Sequence, residues 1–176
     1  MFASIQNNGQ TQRSVPTNVG MVVSDRPMGN MRFIVDFMLG KLARELRILG
    51  FDTIYVRVSD RDEILRKTLA EKRVLLTRSH AFPKREDILV INSEYVGEQL
   101  KEVMNTFKLK PKPFTRCLIC NTPLQSVKKE IVKGKVPFFV YQTYDTFVYC
   151  KQCNKFYWEG SHYKSMVKKL KRYESI

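Results

Sequence analysis

Acidic residues are few in this sequence beside its basic ones. Its 176 residues hold 31 lysines and arginines against 17 aspartates and glutamates, a formal charge of +14. The deficit is local. Residues 1–100 carry 15 basic and 12 acidic side chains, a net +3, whereas residues 101–176 carry 16 and 5, a net +11. So large an excess exceeds what solubility needs and points to a polyanionic partner, of which nucleic acid is the usual one. Long apolar runs are also missing: none approaches the roughly 20 residues that cross a bilayer, so no membrane association is expected. Residues 1–30 contain no apolar block with a basic flank, which argues against a signal peptide and leaves a cytoplasmic location by default. They are rich in Asn, Gln, Ser, Thr and Gly, and read as a disordered N-terminal extension.

What is present starts at residue 31. Phe33-Ile34-Val35 reads as a short buried strand that stops at a carboxylate, Asp36. Leu39, Leu42, Ala43, Leu46 and Leu49 then recur at helical spacing and form one apolar stripe, which Gly50 ends. Asp36 therefore sits at the carboxyl end of a first strand, where a parallel α/β sheet opens its ligand crevice. The alternative is that it only caps the following helix.

Further units repeat the alternation. Thr53–Val56 reads as a second strand, and a helix to about Glu71 opens on Ser59-Asp60-Arg61-Asp62-Glu63. Asp60 and Glu63 have capping-box spacing, and acids suit a first turn; the other reading is that Asp60, Asp62 or Glu63 shares a metal with Asp36. Val74–Thr77 is a third strand, apolar throughout as central parallel strands are, and delivers Arg78-Ser79-His80 to the same edge. Ile88–Ile91 is a fourth, and Ser93 is expected to cap a helix over 94–107. The expected fold class is an open α/β parallel-sheet sandwich over residues 31–110.

Pro111 and Pro113 mark a boundary, and residues 111–176 read as a different module. The four cysteines of the chain form two pairs, Cys117/Cys120 and Cys150/Cys153, each with two residues between. Two such knuckles suit a closed tetrahedral zinc site; redox pairs or disulfides are the alternative, disfavoured in a reducing compartment. Val136–Tyr141 and Thr146–Tyr149 are expected to be strands of a ribbon that needs its metal to fold. Four thiolates on one divalent ion would leave the protein near +12, still basic. A last helix over 163–173 carries Lys168 and Lys169, candidates for contact with a phosphate backbone. Tyr157 and Trp158 stack bases or pack the ribbon against the α/β module, and His162 reads as a capping or packing residue.

Several motifs together resemble one family. They are Val35-Asp36-Phe37-Met38-Leu39-Gly40-Lys41-Leu42-Ala43-Arg44, then Leu46–Asp52, Val74-Leu75-Leu76-Thr77-Arg78, Gln99-Leu100, Arg116–Asn121 and Tyr157-Trp158-Glu159-Gly160-Ser161-His162. The family is the RNase domain named for the C-terminus of the Mut-seven exonuclease, a PIN-like nuclease fold with an attached zinc ribbon, and the resemblance spans residues 31 to about 170. It implies cleavage of RNA by a divalent-metal-dependent ribonuclease, with Mg2+ or Mn2+ held by acids at the strand ends and Zn2+ structural in the ribbon. By position Asp36 matches the first family acid, and Asp60 or Asp62 a second; Lys41, Arg44 and Arg78 would meet phosphate. The sequence departs from the pattern at Ser79, where the family commonly has an aspartate. That departure motivates an alternative: a catalytically weak or inactive module that binds RNA or the ribosome, with Lys168 and Lys169 on its binding surface.

Overall fold

The computed structural model describes residues 31–57, 60–161, 163–165 and 168. The expected extension over 1–30, His162, Lys169 and most of the expected last helix lie outside them.

The first sheet is fully parallel. It comprises β1 (Arg32–Val35), β2 (Asp52–Tyr55), β3 (Val74–Thr77) and β4 (Ile88–Val90) in the order β2-β1-β3-β4. Ile34 pairs with Ile54 on one side and Leu75 on the other. Side chains alternate between the two faces with period two. Phe33, Val35, Val74 and Leu76 pack into one cluster with Leu42 and Leu46 of α1 (Gly40–Ile48) and Leu100 and Val103 of α3 (Val96–Phe107). Ile34 and Leu75 face the opposite way and pack with Ile64 of α2 (Arg61–Ala70) and Phe82. Covered on both faces, β1 and β3 have no polar side to show, which is why their sequences lack alternation. Gly50 ends the first helical unit at φ +88°, and a Cβ there would lie 2.0 Å from the carbonyl oxygen of Lys112. Only glycine fits that close approach. At the other helix, Ser93 Oγ accepts from Tyr95 N, and α3 begins at Val96, two residues later than expected.

The second sheet is antiparallel, in the order β5 (Gln125–Val127), β6 (Phe147–Cys150), β7 (Lys155–Trp158). Here the structure corrects one expectation. Val136–Tyr141 is not a strand: a short helix α4 (Lys129–Val132) is followed by a second, α5 (Phe138–Thr143), with Pro137 at its N-cap. Proline has no N–H for a ladder and a φ already suited to a helix start. The apolar run buries only Val140, with Val132 and Phe147, and leaves Phe138 and Phe139 77% and 72% exposed.

The two sheets meet at Asp52, the first residue of β2. Its Oδ1 accepts from Arg73 Nη1 at 2.7 Å and Asn121 Nδ2 at 2.8 Å. Its Oδ2 faces Arg116 at 3.2 Å and Arg32 at 3.5 Å. Burial alone would raise this carboxyl; the hydrogen bonds from Arg73 and Asn121, then the charges of Arg73 and Arg116, outweigh it and hold the group below its ordinary range. Arg47 of α1 adds a second tie, donating from Nη1 to Ile119 O at 2.8 Å and Leu118 O at 3.2 Å, inside the first cysteine pair.

Candidate functional site

A parallel sheet in the order β2-β1-β3-β4 sends its connections to opposite sides of β1, so its switch point lies between β1 and β3. Asp36 follows β1 and Thr77 ends β3, which places both at that point. Asp36 is buried, 2% exposed. Its backbone N–H donates to Leu76 O at 3.2 Å. Its Oδ1 accepts from Met38 N at 2.9 Å, and its Oδ2 accepts from the Thr77 hydroxyl. Asp36 therefore does cap the short 3-10 turn over Phe37–Leu39, as one sequence reading has it. Capping uses one lone-pair direction of Oδ1; a carboxylate has about four, so acceptor capacity remains on each oxygen.

Thr77 is the residue at this point that the sequence reading passed over. It is fully buried, donates to Asp36, and through the same Oγ1 accepts from Ser79 N at 3.0 Å. A threonine closing an otherwise aliphatic strand was the available signal. Ser79 Oγ in turn accepts from Ala81 N at 3.3 Å, and His80 is exposed. Arg78 donates from Nη2 to Glu94 Oε1 at 2.9 Å across the same sheet edge.

Asp60 and Asp62 are exposed at the start of α2, where Asp60 Oδ1 accepts from Asp62 N at 2.9 Å and Glu63 N at 3.4 Å. That is the helix-capping role. Lys41 and Arg44 are exposed on α1, and Lys168 is exposed. At the switch point the donors in contact are oxygens: one carboxylate and the Thr77 hydroxyl, with Ser79 two residues further along the chain. Hard divalent cations take such a set, but a single negative charge holds one weakly.

The described residues bring together one group of three or more metal-binding side chains: Cys117, Cys120, Cys150 and Cys153, whose sulfurs all lie within 4.8 Å of one another. Cys120 and Cys150 Sγ are 3.4 Å apart, Cys117 and Cys153 Sγ 3.9 Å. Zinc at about 2.3 Å from four sulfurs needs tetrahedron edges of about 3.8 Å, so the arrangement fits the ion. Each pair has the same local form. Cys120 and Cys153 are each followed by an asparagine with positive φ, Asn121 at 66° and Asn154 at 51°, a conformation asparagine tolerates better than other branched or bulky residues. Thr122 Oγ1 donates to Gln152 Oε1 at 2.7 Å and ties one knuckle to the other.

The four sulfurs cannot all ionise together unaided. Cys120 is lowered to about 6, where burial opposes and hydrogen bonds at Thr122 prevail. Cys153 is pushed up to about 12, first by its hydrogen bond to Cys120. A divalent cation removes that conflict. Tyr157 OH lies in hydrogen-bond contact with Cys117 Sγ at 3.1 Å; burial first, then this contact, raise the phenol. Tyr157 thus packs at the cysteine cluster, which is neither of the two roles expected of it, base stacking or packing against the α/β module.

A family model described as the Mut7-C RNAse domain matches residues 31–170, a span that contains both sheets and all four cysteines. No curated protein and no solved structure matches the chain.

Proposed function

Because the chain belongs to the Mut7-C RNAse domain family, we propose that it is a ribonuclease whose site lies at the switch point of the parallel sheet, centred on Asp36. The observation that carries this is the buried Asp36 carboxylate, fixed by Met38 N and the Thr77 hydroxyl where α/β sheets open their crevice.

Asp36 would hold Mg2+ or Mn2+ with one of the exposed acids at the start of α2, Asp60 or Asp62, and Ser79, whose N–H donates to Thr77 Oγ1, would offer a neutral oxygen. Such an ion supplies an activated water and charge stabilisation at the scissile phosphate. The protein's own part is to orient. Thr77 and Met38 N fix the carboxylate plane, while Lys41, Arg44 and Arg78 hold the RNA backbone by charge. Arg78 would exchange Glu94, an exposed partner worth little, for phosphate. Zinc in the four-cysteine cluster is structural, and the basic ribbon adds affinity for RNA, which is the expected partner in the cytoplasm.

Ser79 favours a second reading. With serine in place of an acid the site has one negative charge fewer, and a module that binds RNA or the ribosome without cutting it would share every other feature. Cleavage of a labelled mixed-sequence RNA in Mn2+ separates the two. The parent should cut, Asp36→Asn should be at least about 100-fold slower, and Ser79→Asp should cut faster than the parent. A parent that binds RNA with no cleavage, indistinguishable from Asp36→Asn, overturns the ribonuclease.

A further inference from the structure

Between the ribbon and α1 lies a cavity of about 450 Å3, within the roughly 300–1,000 Å3 of sites that take small organic groups. Its walls are unusually aromatic: Phe114, Phe139, Tyr144, Trp158 and Tyr163, with the planar guanidinium of Arg116 among them. Phe114 and Tyr163 pack together with ring centroids 4.3 Å apart and their planes tilted by 45°. Phe114 sits at φ +60°, a left-handed conformation a bulky residue keeps only when its surroundings impose it. Phe139 is 72% exposed at the rim, a large apolar ring left in water. Arg116 does not swing, since Asn121 O at 3.0 Å and Asp52 at 3.2 Å fix it.

Rings of this kind accept a flat, polarisable group, and the surrounding charge selects what that group is attached to. Residues 101–176 hold +11 of the chain's +14; the exposed Lys112 lies two residues before Phe114 and the exposed Lys164 directly after Tyr163. A planar group tethered to an anionic backbone is a nucleotide. We propose that this cavity is a base-binding subsite that takes one unstacked base of single-stranded RNA, with the ribbon lysines on the flanking phosphates. Paired bases are stacked within their duplex and do not enter it, so the subsite makes the substrate class single-stranded. This rests on RNA being the substrate, as proposed above.

Trp158 is the single tryptophan of the chain, so its fluorescence reports the cavity alone. The test titrates zinc-loaded Asp36→Asn protein, which does not consume the probe, with end-labelled single-stranded RNA and with an abasic ribose-phosphate oligomer of equal length. Binding is read by anisotropy of the label and cavity filling by Trp158 quenching. RNA should quench in step with binding; the abasic oligomer should bind without quenching. Phe139→Ala should weaken RNA binding roughly ten-fold, in line with the loss of a base–aromatic stack, and leave the abasic oligomer and the zinc content unchanged.

RNA bound without quenching, equal quenching by both oligomers, or binding of neither overturns the subsite. So does a change in Trp158 emission on simple dilution of the protein, which would put a second copy in the cavity. Cleavage is a separate readout: a parent that cuts RNA without quenching removes the subsite and leaves the ribonuclease, and quenching without cleavage does the reverse.

Discussion

Replacing Asp52 by alanine takes one carboxylate away from three guanidinium groups and an amide. The loss falls hardest on Arg73, whose side chain is 4% exposed. Stripping one partner from a buried ion pair costs about 3–5 kcal/mol, chiefly because the other charge is left stranded. Arg73 keeps Glu71 Oε2 at 2.7 Å and Phe33 O at 3.1 Å, so the lower end applies, about 3 kcal/mol. For a chain of this size that is a fall of roughly 6–12 °C in Tm. Circular dichroism at constant free zinc measures it, and Asp52→Asn, which keeps the shape and one acceptor, should lose less. The pH dependence has a definite sign. Asp52 is lowered in the folded state from its ordinary value of 3.8, so its contribution is complete above that pH and is lost as pH falls through the folded value. The gap between the parent and Asp52→Ala should therefore hold from neutral pH down to about 3.8 and close below it. A fall of less than about 2 °C at neutral pH would refute the reasoning, for the hub would then contribute nothing net.

Three other outcomes follow from geometry already described. Gly50→Ala places a Cβ 2.0 Å from Lys112 O at φ +88° and should destabilise by more than about 1 kcal/mol in a denaturant melt. Removing zinc with a chelator should unfold the ribbon, seen as loss of near-ultraviolet signal from Trp158, while the α/β sheet signal in the far ultraviolet largely remains; an unchanged near-ultraviolet spectrum would deny the metal its structural role. Neutralising Lys168, exposed in the structure, should lower the slope of log K against log salt for single-stranded RNA by about 0.7, and an unchanged slope would remove it from the contact surface.

Those parts of the molecule that periodicity encodes were open to reading. β1 and β3 are short unbroken apolar runs, α1 repeats apolar residues at three and four, and the paired Cys-x-x-Cys spacing specifies a four-ligand centre almost regardless of what lies between. The place of Asp36 was legible because it follows from where the strand ends. The helix over Phe138–Thr143 was not, since the four apolar and aromatic residues Phe138–Tyr141 suit either period, and Pro137 decides the matter only once the strand Gln125–Val127 is seen to occupy the place beside β6. Nor did local pattern disclose the junction of Arg47, Asp52, Arg116 and Asn121. Its members are up to 72 residues from their partners in the chain, and a charged residue on a helix or strand looks the same whether it meets water or another module. The Thr77 bond to Asp36 is hidden for the same reason, spanning 41 residues.

An open sheet of four strands has two exposed edges, and exposed edges recruit other chains. The β4 edge is only three residues long. At the β2 edge the outward N–H of Thr53 donates to Asn121 Oδ1 at 3.0 Å, and its carbonyl accepts from Arg47 Nε at 2.9 Å. Two side chains thus stand in for a fifth strand, and one of them belongs to the zinc knuckle. Losing the metal would release Asn121 and open a ready-made strand template, so depletion of zinc should drive the protein toward edge-to-edge aggregation as well as weaken its fold.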